Sequence, residues 1–483
     1  MKRKIALALT MAMLGTCLAG WGQVDTDTNA STEAAGTAAA ETTESEKEWY
    51  GTEDGKTITL HFWGGVQPEY GYDDLCANFN EEYKDKGLQV EYVRYVNDDN
   101  GNLQLETYLM GGGDVDLFIG YGGRTKMDKR VDSNLLLDMS GMLNDIGFNL
   151  DDELGVANMA EYHYDDGAVY GFPTKYENSR WILINEDMFK EAGLDIPYDG
   201  WTYSEFLEDA EKLTHGEGQD KVYGVCWARK QSGKSILYAL DGVLGANQIY
   251  KNEEGTEVNF DNDVYRAGFN LVKETLDKGY AIPIEDEFSE DISVANTFLQ
   301  GKCAIMLGVA QMRLCMDQEN YPHDFTTALV PAPVPDDEKY NTEFYRKQIG
   351  TTGAGDLLSI SANTKYPEAS FEFAMWYLKG GMSPLVQGGR IPLWNGVNKD
   401  EVLSVLKEKA QGSIDMDSME NYLSLDTTQG VAAIKGHASS EISSAWFEEF
   451  DAMCYGKQSV DQTVQNMEKR GNELIQTELS SQK

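Results

Sequence analysis

The sequence predicts an α/β protein with more than one core, built on mainly parallel sheets flanked by helices. Three observations predict it. At 483 residues the chain exceeds what one hydrophobic core ordinarily organises. Apolar runs of strand length alternate with stretches of helical period: ITLHFW from Ile58, Leu88 to Val96, and DVDLFIG ending at Gly120. Parallel neighbours need such crossovers. The third is the segment Asp165 to Glu186, in which a polar insert, Lys175 to Arg180, interrupts two buried runs. That pattern suits a strand crossing between two lobes, and equally an ordinary surface bulge.

The elements follow in order. After Ile58–Trp63 come Gly64-Gly65 and a helix through Leu75 and Phe79, then the strand Leu88–Val96 and a helix around Leu103–Met110. The run Gly111 to Gly120 is a loop and a third buried strand. Loops at the carboxyl ends of parallel strands line a crevice, which puts Trp63 to Gln67 and Tyr121 to Arg124 on one rim. Asp166-Gly167 makes a turn, and Trp181 to Ile184 reads as a buried strand. Asn185 caps the next helix, whose Phe189 and Ala192 share a face; Gly193 ends it, with Leu194 packing back and Pro197 beyond. Thr202 and Glu205 form a capping box ahead of the stripe Phe206, Ala210, Leu213.

Val222 to Trp227 is the next strand, and Tyr238 to Gly245 belongs to a helix and its end. Val264, Ala267, Leu271 and Leu276 recur at helical spacing up to Gly279. A helix over Val294–Gly301 precedes a strand over Cys303–Leu307. Leu329 to Pro335, LVPAPVP, is stiffened into extended form by its prolines. Leu357 to Ser361 is a short strand, and Pro367 opens a helix with Phe371, Ala374, Met375 and Leu378 as its stripe. The remainder reads as helical.

Composition excludes several function classes. A net charge of −41 repels nucleic acid and anionic lipid headgroups. Met1 to Gly20 has the basic start, apolar run and small-residue end of a secretory signal, and it is too short to span a membrane. Val24 to Glu48 is too poor in large apolar residues to order itself and reads as a tether. Cys76, Cys226, Cys303, Cys315 and Cys454 are odd in number and irregular in spacing, which argues for core or loosely exposed thiols over disulfides. Gly233-Lys234-Ser235 carries the tail of a phosphate-binding loop, but Ala228 stands where its first Gly belongs. The five histidines are scattered, no HExxH, CxxC or GxSxG occurs, and Asp98 to Gly101 lacks a calcium-ligand ladder. No metal and no cofactor is expected, while the abundance of carboxylates leaves a glycosidase pair open.

DGAVYGFP, then ILINEDMFKEAGLDIP, then WTYSEFLEDAEKLT, resemble the extracellular solute-binding proteins of ABC importers. The nearest group is the large family 1, which includes the maltose-binding proteins. FLQGKCAIMLGVAQ, Phe298 to Gln311, is similar to the family's Gly-Lys-Ala-Ala-Met strand and its ligand-side loop, and Gly389 to Trp394 to its GRIP-type turn. The resemblance runs from about Lys56 to the C-terminus. It implies a two-lobed, periplasmic-binding-protein-like fold joined by a hinge, with Leu329–Pro335 as a second crossing. The implied division is a signal peptide over 1–20, a tether over 21–49, lobe one over 50–175 plus 331–380, and lobe two over 176–330 plus 381–483.

It also implies a role: a receptor that captures a sugar or oligosaccharide between its lobes and delivers it to membrane permease subunits. A secreted carbohydrate-active enzyme and a sensory binding protein without transport are the alternatives. A neutral polyhydroxylated ligand offers C–H faces to aromatic rings and hydroxyls to Asp, Glu and Arg. Trp63, Tyr121, Glu177, Trp227, Gln311, Arg390 and Trp394 are the candidates, although a Trp is more often core than cleft. By position in the family, Gln67 and Arg124 fall in sugar-contacting rim loops, Glu177 in the crossing strand, and Asp356 at the end of a ligand-facing loop, Gly353 to Asp356. Gln311 stands where the family often has a stacking Trp. The family's lipidated Cys is replaced by Trp21, which leaves Cys17 as an imperfect substitute. The expectation is a monomer at the extracellular face of the membrane, touching it only through a lipid anchor, with a secreted form as the alternative.

Overall fold

The computed structural model describes residues 49–96, 99–178, 180–232, 249–252, 254–347, 356–424 and 436–481. The chain divides into two compact units, Met1–Glu46 and Lys47–Lys483, and the first lies wholly outside the described residues. The expected signal, Cys17, Trp21 and the tether up to Glu48 therefore lie outside them. So do Asp98, Gly233-Lys234-Ser235, the helix expected at Tyr238–Gly245, and Gly353–Gly355.

Among the described residues, eleven strands organise the second unit: β1 Ile58–Gly64, β2 Leu88–Arg94, β3 Leu117–Gly120, β4 Phe172–Pro173, β5 Lys175–Tyr176, β6 Trp181–Asn185, β7 Tyr223–Cys226, β8 Cys303–Leu307, β9 Thr327–Pro331, β10 Leu357–Ile360 and β11 Ile391–Pro392. They form two principal sheets, ordered β2-β1-β3-β10-β4 and β7-β8-β6-β9, and a two-stranded ribbon of β11 and β5. Each sheet is the centre of one lobe. The parallel pairs are β1 with β2, β1 with β3, and β7 with β8. The strands by which the chain enters one sheet after leaving the other are antiparallel to their neighbours: β10 beside β3 and β4, β6 beside β8 and β9. Parallel order is thus confined to the helix-linked strands, and both sheets are mixed.

Burial follows the residue pattern. β1 buries Ile58, Leu60, Phe62 and Trp63, and the helix Tyr72–Tyr83 lays Leu75 and Phe79 against that sheet. The helix Pro367–Trp376 closes the layer, with the Phe373 ring 4.9 Å from Phe79 and 5.2 Å from Phe62. In the second lobe, the helix Tyr203–Leu213 opens on the complete Thr202–Glu205 capping box and buries Phe206, Ala210 and Leu213. It packs so closely on β7 that a Cβ on Gly224 would lie 2.1 Å from the Ala210 carbonyl oxygen. Asn185 caps Glu186–Glu191 through the Met188 N–H at 3.1 Å, and Leu194 returns to bond the Phe189 carbonyl. All five body cysteines are free thiols, four of them buried.

The stretch Leu329–Pro335 stays with the second lobe instead of crossing at once. Ala332 donates to the Arg180 carbonyl, Val334 to that of Trp201, and Arg346 reaches the Gly200 carbonyl at 3.0 Å. Its prolines leave enough N–H groups for the stretch to bond along the second lobe.

Tyr422, from the helix Met416–Leu423, fixes the polar segment between β5 and β6. Its hydroxyl accepts from Asn178 N–H at 3.0 Å, its carbonyl accepts from the Tyr176 hydroxyl at 2.9 Å, and its ring lies 5.2 Å from that of Trp181. Tyr422→Phe keeps the ring and strands the buried Asn178 N–H. It should cost about 1–3 kcal/mol in urea unfolding with an unchanged m value. A loss below about 0.5 kcal/mol would show that the hydroxyl does not anchor the segment.

Candidate functional site

The register brings particular strand ends together. β3 runs parallel to β1, and β10 lies antiparallel to β3 with Leu357 opposite Gly120. Gly64-Gly65, Tyr121, Asp356 and Thr174 therefore share the carboxyl edge of the first sheet. In the second sheet, Ile182 pairs with Leu307 and Trp181 with Pro331, so Trp227, Gly308–Gln311 and Arg180 share one edge. The β5–β11 ribbon carries the chain from one edge toward the other, with Ile391 opposite Tyr176 and Pro392 opposite Lys175. Carboxyl-end edges of this kind are where open α/β sheets bind ligands.

Four charged side chains meet there. Lys175 Nζ lies 2.6 Å from Glu177 Oε2 and 3.4 Å from Asp356 Oδ2, and Arg390 Nη2 donates to Asp356 Oδ2 at 2.8 Å. All four are largely buried, with side-chain exposures between 9% and 18%. Burial opposes the Asp356 charge, but Lys175 and Arg390 outweigh it and hold the carboxyl below its ordinary range. Burial likewise opposes the Lys175 and Arg390 charges, and the facing carboxylates, with the Tyr72 phenol at Arg390, outweigh it in turn. Two cations and two carboxylates leave the cluster with no net charge. Each ion is compensated, which a buried charge requires.

Aromatic hydroxyls surround this quartet. Tyr121 accepts from Gly65 N–H at 3.0 Å, and burial, then Asp356, pushes its phenol up to about 12. Tyr92 clamps the same loop through both backbone groups of Val66, at 2.8 and 3.2 Å. Gln67 follows, half-buried, ahead of the turn Pro68–Tyr70. Tyr72 and Tyr377 are fully buried beside Arg390.

The quartet thus brings Glu177, Asp356 and Arg390 together, with Tyr121 beside them. Other candidates are occupied elsewhere. Trp63 is 4% exposed, its indole N–H donates to the Asp114 carbonyl at 2.8 Å, and its ring packs 4.9 Å from Tyr108. Trp227 is 1% exposed and donates to Thr275 Oγ1 at 2.9 Å, beside Phe206. Arg124 is committed to Asp128 and to the Glu161 and His163 carbonyls, 3.9 Å above the Tyr164 ring. Gln311 is half-buried in the turn after β8, within 3.4 Å of Arg313 Nη2. Trp394 donates to Glu153 Oε2 at 2.7 Å. The three indole N–H groups and the Arg124 guanidinium each have a hydrogen-bond partner in their own neighbourhood.

Sequence reasoning missed Lys175, Arg180, Tyr72, Tyr377 and Tyr422. The alternation of Lys175 and Glu177 across Tyr176 was the available signal, since it sets both charges on one strand face. Trp63→Ala should remove about 3–5 kcal/mol of stability by calorimetric melting. A loss below about 1 kcal/mol accompanied by weakened ligand binding would return Trp63 to the cleft.

Residues 64–379 match the family described as bacterial extracellular solute-binding protein. Similar solved structures include a sugar transporter of Rhizobium etli in an open conformation, with a TM-score of 0.64 and 17% identity, covering 86% of this chain and 99% of that one. An ABC substrate-binding protein of Listeria monocytogenes in complex with cycloalternan has a TM-score of 0.64 and 16% identity, covering 86% and 98%. A cyclic α-maltosyl-1,6-maltose binding protein of Arthrobacter globiformis has a TM-score of 0.62 and 15% identity, covering 87% and 100%. At such identities the likeness is one of fold. The family match runs from Gly64, at the end of β1, through both sheets to Lys379 beyond β10, and on that span the chain belongs to the bacterial extracellular solute-binding protein family.

Proposed function

We propose that this protein is the extracellular receptor of an ABC importer for a neutral sugar or oligosaccharide, which it binds at the edge formed by Lys175, Glu177, Asp356 and Arg390. The observation that carries the reading is the internally neutral quartet, ringed by tyrosines, where two carboxyl edges meet. Such a cluster can accept hydrogen bonds from sugar hydroxyls at its carboxylates and donate to them from its cations. It has no uncompensated charge with which to hold an ion. The sugar ligands of the structurally similar proteins support the same chemistry.

On this reading the protein binds its ligand and passes it unchanged to permease subunits. It acts as a monomer at the outer face of the membrane, attached through Cys17 or released after signal cleavage. The two lobes close on the ligand by hinge rotation at the ribbon.

A thermal-shift screen over a sugar panel is the first test, because a ligand at 100 times its Kd adds roughly 2.7 kcal/mol of stability. No shift with any neutral sugar, alongside one with a charged solute, would overturn the reading. With the ligand in hand, Glu177→Gln keeps the shape and an oxygen facing Lys175 but removes a charged acceptor. Titration calorimetry should show affinity weakened by about 1–3 kcal/mol. Binding as tight as the parent's would place Glu177 outside the ligand contact.

A further inference from the structure

The two faces of the ribbon differ. Lys175, Glu177 and Arg390 turn toward Asp356, whereas Tyr176 and Ile391, paired across the ribbon, turn to the opposite face. On that opposite face lies a cavity of about 120 Å³ walled by Tyr176, Ile391, Leu393, Trp394, Val402 and Leu423. No carboxylate lines it, and its polar lining is Asn395 and Lys399. The Asn395 amide is already given to the Asp152 carbonyl at 3.0 Å. The cavity is partly open to solvent, and its volume approaches the roughly 150 Å³ of an engineered apolar cavity that accepts a benzene-sized ring.

Its walls are tied to different parts of the molecule. Trp394 donates to Glu153 Oε2 at 2.7 Å, and Asn395 N–H to the Glu153 carbonyl at 2.9 Å. Glu153 lies in the helix Leu150–Leu154, between β3 and β4 in the chain. Leu423 ends the helix Met416–Leu423, which is fastened to the second sheet: Ser418 Oγ accepts from Leu329 N–H at 3.0 Å, and Asp415 N–H donates to the Thr327 carbonyl at 2.9 Å. Rotation of one lobe against the other would therefore widen or narrow this gap.

We propose that the cavity is a second ligand site, for an uncharged single-ring aromatic molecule, and that its occupancy is coupled to the hinge angle. The binding claim stands independently, whereas the coupling to sugar affinity rests on the transport reading. Coupling of this kind is reciprocal: each ligand changes the other's affinity by one common factor.

The test uses phenol as the probe and the mature protein, observed by saturation-transfer NMR. Saturable binding at one site is expected, weakened at least about tenfold in Val402→Trp, whose indole would fill the cavity. Leu423→Phe, a smaller intrusion, carries the test if the first variant melts early. Absence of saturable binding, or binding that neither folded variant weakens, would overturn the site. Phenol and the sugar identified in the panel should then shift each other's Kd by the same factor. Unchanged values would overturn the coupling alone, and phenol binding with no sugar found would uphold the site while sinking the transport reading.

Discussion

The Asp356 carboxylate is the point on which the arrangement depends. It stands immediately before β10, in the first sheet, and pairs with Lys175 of β5 and with Arg390, the residue before β11. One buried group thus joins a sheet to both passing segments. Removing one member of such a buried network leaves an uncompensated charge, at a cost typically of about 3–5 kcal/mol. The ribbon has only two residues in each strand, so side chains, more than ladder hydrogen bonds, must set its position.

From that constraint the cleft acquires its character. Because the cations and carboxylates satisfy one another, the polar groups can be buried without attracting counter-ions, and on the proposed function ligand selection would fall to hydrogen bonds and ring faces. Tyr422 secures the far end of the same segment by backbone and hydroxyl contacts, so the strand leaving the quartet enters β6 in fixed register. The ribbon is therefore held by ion pairs at one end and by packing at the other. A rotation confined to so short a piece can move whole lobes while each core stays intact.

Much of this was legible in the residues. Strand runs with helical spacers, the Thr202–Glu205 box and the Asn185 cap are local signals, and they fold as local physics dictates. The polar insert at Lys175–Arg180 marked a segment with an unusual neighbourhood, and it is where the quartet forms. What the sequence could not reveal was direction. An indole at a strand end reads the same whether it faces a cleft or, as with Trp227, a threonine in the core. Nor does Tyr72, within an ordinary amphipathic stripe, announce that it will lie beside Arg390, over three hundred residues away in the chain but adjacent in space. The Pro-rich stretch after β9 misled for a related reason, since stiffness specifies an extended path but not which lobe that path follows.

The central claim is that two lobes, joined at an ion-paired ribbon, close on a neutral sugar. Small-angle X-ray scattering of the mature protein with and without a sugar proven to bind tests it most directly. The account predicts a smaller radius of gyration and a shortened maximum dimension in the bound state. An unchanged profile at saturating ligand would contradict it.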